Sequence, residues 1–90
     1  MAQAVVDAAE LRRFASSLKR FNAELEGNLN AVKGQLSHLA ESWRDREQEK
    51  FAEEFDEAMK VLARFLDISN QHIPFLMRKA ERIDDYLQQR

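Results

Sequence analysis

Cysteine is absent from this 90-residue chain, and proline and glycine are scarce, at one and two residues. Without cysteine there is no disulfide to hold a small core, and no thiol for nucleophilic chemistry or soft metals. With so few breakers, a loop-rich scaffold is excluded and long helices are expected. No uninterrupted apolar run approaches the ~20 residues that a membrane span requires. The opening segment MAQAVVDAAELRR lacks the basic stretch followed by an apolar one that marks a cleaved secretory signal. The expected location is therefore cytoplasmic, or secreted without a conventional signal peptide. An excess of one charge is missing too: 14 basic against 16 acidic side chains leave a net charge of −2, so nucleic acid is not the default partner. A chain of this length is read as a single domain, 1–90.

What is abundant is helical pattern. Apolar residues fall at Leu11, Phe14, Leu18, Phe21, Leu25, Leu29, Val32, Leu36 and Leu39, in steps of three or four that suit a helix and not a strand. Asp7 stands where an N-cap is needed, with Glu10 three residues on. Gly27 and Gly34 sit inside this helix, roughly opposite the stripe, on a solvent face or at a second seam. A second stripe runs from Phe51 through Phe55, Met59, Leu62, Leu66, Ser69, Ile73, Leu76, Ala80, Ile83 and Leu87, with Ser69 its one polar member. The expected fold is all-α: two helices, about 7–40 and 43–89.

The connection lies within SWRDREQEKF, which holds the only tryptophan, Trp43. Ser42 and Asp45 have the spacing of a capping box, which predicts that the second helix starts at Trp43. A joint so short makes the helices antiparallel, with Trp43 packing at the tip near Leu39. A bend at residues 41–42 makes the numbers of facing residues add to about 83. Leu25 then faces Ala58, Leu18 faces Phe65, and Asp7 lies opposite Leu76. Residues 77–90 would project ~21 Å with no partner from their own chain. At the start of that overhang and along it, Leu76, Ile83, Tyr86 and Leu87 would need a partner to cover them. Pro74 removes the amide that bonds the Asn70 carbonyl, so a kink is expected there, with a break and a third helix as the other outcome.

A lone two-helix hairpin leaves each stripe half exposed, whereas two hairpins packed together make a four-helix bundle that buries both. The expectation is a homodimer, or a pair with a similar hairpin. Its core or dimer seam would be Phe14, Phe21, Leu25, Phe51, Phe55, Leu62 and Phe65.

Chemistry is thin. His38 and His72 lie at different levels, neither belongs to a Glu-x-x-His pair, and no Gly-rich phosphate loop exists. Glu49, Glu53 and Glu57 line a solvated acidic face, and Asp56 to Lys60 is an ordinary i,i+4 pair. Arg12, Arg13, Lys19 and Arg20 form a basic patch without exposed aromatic interleaving. No catalytic, cofactor-binding or metal residue is assigned, and no small-molecule substrate is expected.

Leu36 and Leu39 ahead of Trp43, with Phe51 eight residues after it, resemble the WXG family of small helical hairpins. The best-known members of that family are early secreted antigens exported by type VII secretion systems. The resemblance covers most of the chain. It implies a hairpin that dimerises into a four-helix bundle, and a non-enzymatic role as a type VII substrate or the partner of one. Asp45 replaces the family's glycine two places after the tryptophan. Arg90 stands four residues after Tyr86, where the family's Tyr-x-x-x-Asp/Glu export signal has its acid. The other functional expectation is a cytosolic adaptor or chaperone that offers a groove to a client helix.

Overall fold

A computed structural model describes residues 6–88, and these form an antiparallel hairpin. Helix α1 spans Ala8–Leu39 and helix α2 spans Arg46–Gln88. The molecule is a ribbon of 69 × 25 × 15 Å. The Asp7 carboxylate starts α1 by accepting from the Ala9 amide at 2.9 Å. The far end closes without glycine, on a tightened last turn: the Leu39 carbonyl accepts from the Ser42 and Trp43 amides at 3.1 and 2.9 Å.

The cap of α2 differs from expectation. Ser42 does not cap it; its hydroxyl donates to the Leu39 carbonyl at 3.3 Å and so belongs to the end of α1. Asp45 caps instead, with Oδ1 accepting from the Gln48 amide at 2.9 Å. The start of α2 therefore moves from Trp43 to Arg46. The connection is residues 40–45, longer than the near-direct joint expected.

That longer connection resets the register. Asn22 and Ser69 meet side chain to side chain, so the numbers of facing residues add to 91, as 22 and 69 do, in place of about 83. Ala8 then lies level with Ile83, and Leu11 level with Ala80, which is fully buried. Arg12 pairs with Asp84 across the open end. The projected overhang is thus corrected: α1 accompanies α2 almost to its end. Leu76 and Ile83 are half-buried between the helices, while Tyr86 and Leu87 are exposed near Val6. Gln89 and Arg90, the last part of that expectation, lie outside the described residues.

In this register the seam follows a strict seven-residue repeat. On α1 it uses Ala8, Ala15, Asn22, Leu29 and Leu36, alternating with Leu11, Leu18, Leu25, Val32 and Leu39. On α2 it uses Ala52, Met59, Leu66, Ile73 and Ala80, alternating with Phe55, Leu62, Ser69, Leu76 and Ile83. These are the a and d positions of a coiled-coil-like pair. A ribbon 15 Å thick leaves nearly every large side chain partly open, so among the described residues the buried apolar ones are Ala8, Ala15, Ala80 and one leucine, Leu66, still 9% exposed. The helix continues through Pro74 as one element, so the third-helix outcome is excluded.

Gly27 and Gly34 face open space: a methyl group on either would meet nothing within 4 Å, and neither has a positive φ. Replacing both by alanine is expected to raise stability by roughly 0.5–1 kcal/mol per site, because glycine loses more backbone entropy in a helix. A thermal melt checks this. A lower midpoint would reveal that another helix packs closely on that face.

Candidate interaction surface

The a/d repeat divides the remaining surface of the hairpin into two flanks of opposite character. One flank carries the e positions of both helices. There Arg12 meets Asp84, and Glu26, Asn30, Lys33, Asp67 and Asn70 line a shallow polar depression. The other flank carries the g positions, Phe14 and Phe21 on α1 and Phe51 and Phe65 on α2. Phe21 and Phe65 meet edge to face, with ring centroids 6.3 Å apart. Val61, Ile68 and Phe75, a further seven-spaced series on α2, widen this side. Phe14, Leu18, Phe65, Ile68 and Phe75 enclose a groove that is almost wholly apolar.

Exposure on this flank is high for side chains of this kind: Phe14 is 56%, Phe21 50% and Phe75 49% exposed. Scattered surface aromatics need no explanation, but a contiguous aromatic face on one side of a rod does. Apolar a, d and g positions together make the wide stripe of a helix with two neighbours, whereas a pair of helices alone uses a and d.

The expected seam residues therefore fall into two groups. Leu25, Phe55 and Leu62 lie half-buried between α1 and α2, while Phe14, Phe21, Phe51 and Phe65 are on the exposed flank. Val61, Ile68 and Phe75 lie outside the expected set. Their spacing is visible in the sequence, but a stripe aimed at one partner helix leaves them out.

Ser42, Trp43 and Asp45 come together in the connection, with Trp43 half-buried. The indole leans on Phe51 at 6.0 Å between centroids, and Phe51 stacks on Phe55 at 5.8 Å. This ladder ties the tip of the hairpin to both the flank and the seam. It also explains an aromatic in a polar run: the ring covers the end of α2's apolar face.

His38 and His72 are both exposed and far apart in the fold. Among the described residues no group of three or more His, Cys, Asp or Glu is placed to hold a metal ion. Lys60 lies 3.3 Å from Asp56 and 3.5 Å from Glu57. Its ammonium is held above the ordinary lysine value, first by the hydrogen bond to Asp56 and then by the charge of Glu57. All three are solvent-exposed, so this is a hydrated ion-pair face. Among the described residues no helix is long and apolar enough to cross a membrane.

Comparisons with known proteins agree on the hairpin. A family model described as proteins of 100 residues with WXG matches residues 3–86. Among solved structures, the secreted protein EsxB of Bacillus anthracis strain Sterne is similar. Its wild-type form shares 26% identity, covers 91% of this chain and 94% of that one, and superposes with a TM-score of 0.75. A proline-to-alanine variant shares 25% identity over 94% and 96% of the two chains, at a TM-score of 0.81. The selenomethionine form, at 24% identity over 96% and 98%, superposes at 0.78 and speaks for the fold alone. No curated protein matches.

Proposed function

The chain belongs to the family of proteins of 100 residues with WXG, and on that footing we propose that it is a non-enzymatic interaction protein. It works as one domain whose aromatic flank packs against a second hairpin, completing a four-helix bundle. The partner is a second copy or a similar hairpin, and the pair serves a secretion pathway of the type VII kind, as substrate or as companion of one. The secreted nature of EsxB, similar at 26% identity, supports the last step.

The observation that carries this reading is the flank itself. The chain exposes 7459 Å², where a compact chain of 10.5 kDa would expose about 5,400 Å². The excess, about 2,000 Å², is what one protomer gives up in a large permanent interface. Charge favours one direction of pairing. Residues 41–57, at the turn, hold eight acidic and three basic side chains. At the open end, residues 6–20 hold four basic and two acidic ones. Turn set against open end brings unlike charge together, whereas turn set against turn repels.

Light scattering at micromolar concentration is expected to give about twice the 10.5 kDa of one chain. A mass of one chain under those conditions would rule out the homodimer.

A further inference from the structure

The strict repeat on both helices creates a problem that the apolar residues do not solve. Over the length where helix faces helix, 8–39 against 52–83, every a and d position is apolar except Asn22 and Ser69. Sliding one helix by seven residues keeps apolar facing apolar nearly everywhere. The connection permits such a slide, because Ser42 lies three residues before Asp45 and has the chemistry to cap a second helix that starts earlier. The seven-residue slide makes facing numbers add to 84, close to the alignment that apolar spacing and capping alone suggest.

We infer that the buried bridge between Asn22 and Ser69, extended to Asn70, is a register lock that excludes this slipped hairpin. Ser69 Oγ donates to Asn22 Oδ1 at 3.0 Å, and Asn22 Nδ2 donates to Asn70 Oδ1 at 3.0 Å. Asn22 and Ser69 are 2% and 5% exposed, so water does not substitute for these partners. In the slipped hairpin Asn22 lies level with Leu62, and Ser69 level with Ala15. The carboxamide then stays buried with nothing to bond, which is the costly state for a polar group away from water. The same slide carries Asp84 away from Arg12 and puts Met77 in its place. A single polar a-position residue that fixes alignment at some expense of stability is a known device of coiled coils.

The lock has a consequence for the flank. In the observed register Phe21 reaches Phe65, and Phe14 and Phe75 share one groove. One heptad of slip carries Phe65 from Phe21 to Phe14 and moves Phe75 about 10 Å along the axis away from Phe14, so the groove is rebuilt from different residues. The lock therefore decides which side chains of the two helices meet on the flank and so what shape the hairpin presents. It stands on the hairpin alone, whatever covers the flank.

The absence of cysteine makes the test direct. Nitroxide labels on cysteines introduced at the exposed positions Gly34 and Gln71 sit at different levels along the rod. A one-heptad slip moves them about 10 Å further apart along the axis. Electron-electron distance measurements on spin-diluted samples are expected to give one distance in the otherwise unaltered chain. Asn22→Ala with Ser69→Ala is expected to add a second, longer distance. The exchange Asn22→Ser with Ser69→Asn is expected to restore a single one. Asn22→Leu with Ser69→Ala refills the space with apolar volume and is read in the same way should the double alanine lose helix content. A single native distance in a folded variant lacking the bridge overturns the proposal and leaves side-chain size and the turn to set the register.

Discussion

Leu66→Ala is expected to lower unfolding free energy by about 2–5 kcal/mol, the range for truncating a buried leucine. The choice of residue follows from how thin the core is. Among the described residues Leu66 is the one large apolar side chain that the hairpin buries by itself; the other buried apolar residues are alanines. It lies level with Leu25 in the middle of the rod, where neither end can fray to relieve a cavity. Leu25→Ala and Phe55→Ala act on the same seam from half-buried positions, so they are expected to follow at the lower end of that range. Denaturant titration at fixed protein concentration measures the loss. An unchanged midpoint for Leu66→Ala would mean that the seam does not hold the two helices together.

Phe21→Glu combined with Phe65→Glu is the second large effect, and it separates the flank from the seam. The two rings meet edge to face on the exposed side of the hairpin. A carboxylate at either position is hydrated in the single chain, so α1 and α2 lose the Phe21–Phe65 contact but keep their a and d seam. In the proposed bundle both groups would be enclosed against the partner. Aromatic anchors near the centre of an interface are worth ~2 kcal/mol or more each when truncated, and buried unpaired charge adds to that. Association is expected to weaken at least 100-fold, and scattering mass is expected to fall to one chain, 10.5 kDa. Unfolding offers a second readout through mass action: the midpoint is expected to rise with concentration in the unaltered chain and to stay constant in this variant. Retention of the dimer by the double glutamate would move the interface to another face.

The two experiments divide residues that the apolar pattern presents as one set. Phe14, Phe21, Phe51 and Phe65 and the seam residues Leu25, Phe55 and Leu62 belong to stripes that are continuous in the sequence. The stripes are too wide for one neighbour, and nothing in the spacing says which part faces α1–α2 and which faces outward. That assignment needs the side on which the second helix lies. Once the helix is placed, the g positions separate from a and d, and Val61, Ile68 and Phe75 join them.

The sequence by itself determined the helices, their antiparallel arrangement, the start of α1 at Asp7 and the family. Each of these rests on local order: three- and four-residue steps, a capping carboxylate, and a tryptophan at fixed spacing from leucines and a phenylalanine. The tertiary structure alone decided the register, the real cap at Asp45 and the fate of the last turns of α2. A seven-residue repeat looks the same after a seven-residue slide, so apolar spacing has no power to choose between alignments. Choosing takes groups that tolerate one neighbour only. Here these are a carboxamide, a hydroxyl and an ion pair, and they find their partners 48, 47 and 72 residues away along the chain.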